Sequence, residues 1–277
     1  MTTYSASLPL ATGATIPALG FGTWQIPDGA PAYDATRAAL RAGYRHIDSA
    51  RAYGNEASVG RAVRDSGLAR GEVFVTSKLP AEIKDHRRVM ASFEETMRLL
   101  ALDYVDLYLI HAPWPWSEKG KDCTAQNKEV WTQMEAIHAS GRARAIGVSN
   151  FSVADLQAIL DGCTVVPMVN QIRWFVGYTQ PDVVACCAQH GVVVEAYSPL
   201  ATGRILDDPR LAGIAARYGK SVAQLCIRYA LQHGLVALPK STHPGRIVEN
   251  GEVDFAIGEA DMATLDALDD TARRGGR

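Results

Sequence analysis

The sequence predicts an α/β chain folded as a (β/α)8 TIM barrel, with an N-terminal β-hairpin and an extra C-terminal helix. Eight short apolar runs alternate with amphipathic stretches along the 277 residues, and several of those stretches end at glycine. Strands separated by helices must run parallel, because a parallel pair needs a long crossover. Eight such units close a barrel, whereas an open doubly wound sheet usually has fewer. No linker, low-complexity tract or break in composition divides the chain, so one domain over residues 1–277 is the expectation.

Residues 8–19 read as two short strands around Thr12-Gly13, a hairpin signal. The eight apolar runs follow at 19–21, 46–49, 73–78, 105–111, 145–149, 168–172, 192–198 and 235–240. Between them, residues 33–42, 55–66, 89–100, 129–140, 153–160, 181–189 and 209–232 carry apolar side chains at helical spacing. After the last run come a short helical stretch at 246–251 and the extra helix at 260–268.

Composition narrows the function. The formal net charge is −2, so no global basic field draws the chain to nucleic acid or to an acidic membrane surface. The clusters 84–88 and Arg273-Arg274 are expected to be solvated surface. The five cysteines are odd in number and lack CxxC spacing, which fits reduced thiols packed as small apolar side chains. No signal peptide is read at the N-terminus and no run is long enough to span a bilayer, so cytoplasmic residence is the expectation, and the chain is expected to be a monomer.

In a barrel of this kind the reactive groups gather at the C-terminal ends of the strands. Asp48 closes the second run, with Tyr53 in the loop beyond; Lys78 closes the third and His111 the fourth. Each alone has an ordinary structural explanation, as a cap, a solvated cation or a packed ring. Together they form a coherent chemical set. A phenol is a weak acid at neutral pH, and a nearby ammonium such as Lys78 should lower its pKa. Asp48 would pair with Lys78, and His111 could donate a hydrogen bond to a carbonyl oxygen. Such a group protonates an oxygen that gains negative charge, as carbonyl reduction requires. Two alternatives stay open: a Schiff-base barrel aldolase using Lys78, and a nicotinamide-binding regulatory protein with little turnover. No G-x-G-x-x-G opens a helix after the first strand, which disfavours a Rossmann dehydrogenase, and no HExxH or Cys/His cluster offers a metal site.

The strings Gly20-Phe-Gly-Thr-Trp24, Gly43-Tyr-Arg-His-Ile-Asp-Ser-Ala50, Tyr53-Gly-Asn-Glu56, Thr76-Ser-Lys78 and Leu107-Tyr-Leu-Ile-His111 resemble the aldo-keto reductase family. So do Gly147-Val-Ser-Asn-Phe151, Val169-Asn-Gln171, Ala196-Tyr-Ser-Pro-Leu200 and Leu238-Pro-Lys-Ser241, in the family's order and across nearly the whole chain. The chain resembles the shorter bacterial members, including the 2,5-diketo-D-gluconate reductases. The resemblance implies reduction of aldehydes or ketones, with Tyr53 as proton donor and Asp48, Lys78 and His111 completing a tetrad. His111 stands where the family's steroid double-bond reductases carry Glu, which favours carbonyl over alkene reduction.

The resemblance also implies a nicotinamide cofactor. Ser149, Asn150 and Gln171 would hold its carboxamide, and Tyr197 would stack on its ring. Gly22 and Thr23 would lie beside it, with Ser198, Leu200 and Gly203 near the pyrophosphate. Lys240, Ser241, Thr242 and Arg246 gather cations and hydroxyls suited to a 2′-phosphate, while Glu249 and Asn250 would address adenine; NADPH is therefore the expected cofactor. Trp24 and Trp114 are expected to wall the substrate site, with Trp116 equally open to an ordinary packing role. The sequence departs from the family pattern after Gln171, where Ile172-Arg-Trp-Phe-Val176 replaces an acidic residue followed by His-Pro. The segment 113–120 reads as a substrate-side loop.

Overall fold

In the computed structural model, which describes residues 3–269 and 271, the chain opens with a two-stranded antiparallel hairpin, β1 (Ser7–Pro9) and β2 (Thr15–Pro17). Eight parallel strands follow: β3 (Phe21–Gly22), β4 (His46–Asp48), β5 (Phe74–Leu79), β6 (Val105–Ile110), β7 (Ala143–Ser149), β8 (Val169–Arg173), β9 (Val193–Tyr197) and β10 (Val236–Leu238). They pair in sequence order from β3 to β10. Hydrogen bonds from Gly20 N to Ala237 O at 2.9 Å and from Gly22 N to Pro239 O at 3.0 Å join the first strand to the last and close the barrel. Closure removes both sheet edges, which satisfies the backbone of the outer strands.

The helices lie between the strands: α1 (Ala30–Ala42), α2 (Glu56–Arg64), α3 (Val89–Leu100), α4 (Thr124–Ala139), α5 (Val153–Leu160), α6 (Pro181–Gln189), α7 (Pro209–Arg217) and α8 (Val222–Gln232). Beyond β10 come α9 (Pro244–Glu249) and the additional α10 (Glu259–Asp266). The hairpin sits at the N-terminal end of the barrel, where Leu10 and Thr15 share a small cavity wall with Arg45, Phe74 and Arg144. That leaves the C-terminal end open.

Two expectations need correction. The stretch 209–232 is two helices, because Gly219 adopts φ +61° and Ser221 starts a new helix. The Ser221 hydroxyl accepts from Gln224 N while Ser221 N donates to the Gln224 side chain at 3.1 Å, a reciprocal cap that restarts the turn. Helix α4 begins at Thr124 rather than 129, because its first turn, Thr-Ala-Gln-Asn, is too polar to display an apolar period. All five cysteines are free, and four are buried. Arg273-Arg274 lie outside the described residues. Among those residues, no helix is long and apolar enough to cross a membrane, and no His/Cys/Asp/Glu group could hold a metal.

Candidate functional site

The strand register brings the four expected side chains together. Asp48 ends β4, Lys78 lies near the end of β5, His111 follows β6, and Tyr53 closes a single turn of 3-10 helix after β4. Lys78 Nζ donates to both carboxylate oxygens of Asp48 at 2.8 Å, to Ser49 O at 2.8 Å and to Tyr53 Oη at 3.3 Å. The His111 ring stands edge-on to the Tyr53 ring, with centroids 5.5 Å apart. Lys78 and Asp48 are buried, whereas Tyr53 is half-buried and faces a cavity.

Burial sets the protonation states. It pushes the Tyr53 phenol up to about 12; Lys78 pulls it down, but Asp48 and Glu195 push it further up. The expectation that Lys78 brings the phenol toward neutrality is therefore corrected, since desolvation outweighs the ammonium here. For Lys78 burial alone would favour the neutral amine, yet Asp48 and Tyr53 raise its pKa above the ordinary value. His111 is driven down to about 3, first by burial and then by the Lys78 charge, so it is a neutral imidazole at physiological pH. Its Nδ1 has no hydrogen-bond partner among the described residues.

Below this group lies a polar floor that sequence reading missed. Gln171 Nε2 donates to Asp48 Oδ2 at 2.8 Å and to Glu195 Oε2 at 2.9 Å. His46 Nε2 lies 3.5 Å from Glu195 Oε1 and 3.1 Å from the Thr76 hydroxyl. One signal could have revealed it: Glu195 interrupts the apolar run Val192-Val-Val-Glu-Ala196, where a charge demands a buried partner.

Tyr53, Asp48 and His111 open into a cavity of about 1060 Å³. Gly22, Trp24, Ser149, Asn150, Gln171 and Tyr197 line its central part. Ser198, Leu200 and Gly203 form another wall, and Lys240, Ser241, Arg246, Glu249 and Asn250 also line it. Four expected residues stand off this wall, Lys78 being wholly buried behind Asp48 and Tyr53. Thr23 is buried, its hydroxyl donating to Asp48 O at 2.9 Å, so it braces the strand end. Thr242 is exposed outside the lining. Trp114 packs edge-on against Trp116 at 4.9 Å between centroids, and Trp116 is the one that reaches the cavity.

Local geometry holds the central part stiffly. Tyr197 Oη donates to Asn150 Oδ1 at 2.7 Å, and Asn150 Nδ2 donates to His111 O and to the Ser149 hydroxyl, each at 3.0 Å. Asn150 and Ser198 have φ of +62° and +51°, strained values for residues with side chains, and both line the cavity. The β6–α4 loop is anchored at its start, where Lys84 Nζ donates to Ala112 O at 2.7 Å and Asn127 Nδ2 to Pro113 O at 2.8 Å.

A closed parallel barrel with Asp48, Tyr53, Lys78 and His111 gathered beside a cavity at its C-terminal mouth is an arrangement suited to acid–base catalysis. The chain belongs to the aldo/keto reductase family, whose model matches residues 18–270. It is 40% identical to the glyoxal reductase of Bacillus subtilis (strain 168), over 99% of this chain and 96% of that protein. It is 41% identical to the 9,11-endoperoxide prostaglandin H2 reductase of Trypanosoma cruzi (strain CL Brener), over 96% and 93% of the two chains. Among solved structures, the aldo/keto reductase from Brucella melitensis superposes with a TM-score of 0.89 at 38% identity, covering 95% of this chain and 99% of that one. Proteins of this family reduce carbonyl compounds and typically use a nicotinamide cofactor.

Proposed function

We propose that this protein reduces aldehydes or ketones to alcohols with NADPH, Tyr53 acting as the proton donor. The observation that carries the reading is the line Asp48–Lys78–Tyr53, which meets a neutral His111 in one cavity that Lys240, Ser241 and Arg246 also line. The cavity's size and its mixture of amide, hydroxyl and cationic groups suit a dinucleotide. Asn150 and Gln171 are the amides for a carboxamide, Tyr197 is the stacking surface, and Arg246 with Lys240 is the cationic pair for a 2′-phosphate. When bound, the dihydronicotinamide supplies the hydride to the carbonyl carbon.

The protein's own residues handle the oxygen. Neutral His111 offers a ring N–H that orients the carbonyl. Tyr53 then donates its proton to that oxygen as negative charge develops, forming the alcohol O–H. A phenol held near 12 is still a far stronger acid than an aliphatic alcohol, so the transfer runs downhill. Lys78 stays charged beside the phenolate left behind, and Asp48 keeps it in place. Trp24 and Trp116 supply apolar walls for a small substrate.

The aldolase reading loses support at Lys78. A Schiff-base lysine needs a free amine lone pair, yet this one is buried, raised in pKa and bonded to both oxygens of Asp48. Tyr53→Phe tests the proposal directly. Reduction of glyoxal or a simple aldehyde, followed by NADPH absorbance, is expected to fall at least about 100-fold. NADPH binding, read as quenched tryptophan fluorescence, should remain nearly intact. Full activity in Tyr53→Phe would reject the proton donor, and tight NADPH binding without turnover in the wild type would favour a regulatory role.

A further inference from the structure

The floor beneath the tetrad holds a carboxyl group that the reaction as described does not use. Glu195, in the middle of β9, is wholly buried and meets Gln171 of β8 through Oε2. Its other oxygen makes no hydrogen bond among the described residues and lies 3.5 Å from His46 Nε2 on β4. The remaining groups acting on this floor are Asp48 on β4, Lys78 on β5 and Tyr53 in the loop after β4. On the β10 side Glu195 pairs with Val236, which is apolar. One cation, Lys78, thus serves two carboxyl groups.

Gln171 is the hinge of this arrangement. Its Nε2 has two protons, and both are committed, one to Asp48 and one to Glu195. An amide whose nitrogen faces two carboxyl acceptors has only its carbonyl oxygen left to turn toward the cavity. We propose that Glu195 is a positioning residue for the reduction: together with Asp48 it locks the Gln171 amide so that its carbonyl oxygen meets the cofactor's carboxamide, and it leaves Asp48 as the single negative charge beneath Lys78. This rests on the proposed assignment of Gln171 to the carboxamide.

The electrostatics agree with the geometry. Burial, and next the neighbouring Asp48, push the Glu195 carboxyl up to about 8, so it holds its proton at neutral pH. His46 is held down at about 4, chiefly by burial, and cannot compensate a second anion. At alkaline pH Glu195 ionises and adds a negative charge to the floor, the push that already holds the Tyr53 phenol up, and the proton donor weakens.

The test uses the full chain with Glu195→Gln and Glu195→Leu, measuring NADPH affinity by tryptophan quenching and reduction of an aldehyde across the pH range. Glu195→Gln keeps an acceptor for Gln171 but cannot ionise. It should bind NADPH within about threefold of wild type, while the alkaline fall in kcat/KM moves up by about one pH unit. Glu195→Leu removes the acceptor and should weaken NADPH roughly tenfold, the loss of about one buried hydrogen bond. If the leucine variant does not fold, the pH profile of Glu195→Gln decides the matter alone. An unmoved alkaline limb in Glu195→Gln overturns the role, even where leucine weakens binding, since a merely structural residue would do the same. Wild-type protein that binds no nicotinamide nucleotide overturns the proposed function and this role with it; an active wild type matched by both variants overturns only the role.

Discussion

At Tyr53, burial and a lysine act in opposite directions on one proton, and burial wins. The phenol therefore stays protonated over the physiological range, and Lys78 matters most once the proton has left, when it faces a phenolate at hydrogen-bond distance. Arg246 poses a simpler balance. It is exposed on the cavity wall, with Lys240 and Ser241 also lining the groove, so its charge is available to a phosphate. Arg246→Ala is expected to weaken NADPH by roughly 10- to 100-fold, the value of a charge-assisted hydrogen bond, and NADH far less. Parallel titrations of both nucleotides check it, and equal losses would remove the 2′-phosphate assignment. Asp48, Lys78 and His111 were legible in the sequence because each closes an apolar run, and Tyr53 because it lies in the loop just beyond the second. Glu195 showed only as a charge inside an apolar run and its partners did not, nor did the Trp116-for-Trp114 exchange, because side-chain direction inside a barrel depends on strand tilt and loop path.

The elements carry these side chains only if they pack at fixed distances. Helix α2 follows the Tyr53 turn and approaches α3 so closely that a Cβ on Gly60 would stand 2.0 Å from the Leu100 carbonyl oxygen. No residue with a Cβ fits there without a backbone shift. Gly60→Ala would gain about 1 kcal/mol of intrinsic helix propensity, yet we expect a net destabilisation of about 2 kcal/mol from overpacking. Thermal unfolding checks it, and an unchanged Tm would mean that moving α2 away from α3 costs no more than the propensity gained. The boundary of α8 makes a related point: Ser221 and Gln224 fix the restart of a helix that the apolar period alone runs together with α7.

For the molecule as a whole, four of the buried groups set how folding responds to pH on either side of neutrality, and buried Asp106, also raised by burial, adds to the carboxyl side. His46 and His111 stay neutral in the fold, at about 4 and about 3, while an unfolded histidine takes a proton near 6.5. Their contribution is whole above 6.5 and is lost as pH falls toward those values. Glu56 and Glu195 have the opposite sign. Raised mainly by burial to about 7 and about 8, against 4.5 when unfolded, they contribute fully below 4.5 and lose that contribution as pH rises. The two pairs offset one another between the unfolded carboxyl and imidazole values. Urea unfolding should show a broad maximum there and a decline on both sides, each group contributing up to about 1.4 kcal/mol per pH unit. A stability that climbs steadily from that window to pH 8 would mean that Glu56 and Glu195 are ionised in the fold.

By itself the sequence determined the alternation of strands and helices, the hairpin and the ionisable residues at the strand ends, because these depend on local periodicity and on the chemistry of single side chains. Tertiary structure alone decided which groups share a hydrogen bond, which aromatic ring reaches the cavity, and how far burial moves each proton. Those outcomes depend on distances between residues remote in sequence, such as Gln171 and Asp48, separated by 123 positions and 2.8 Å apart. No local pattern encodes such a distance; closure of the barrel sets it.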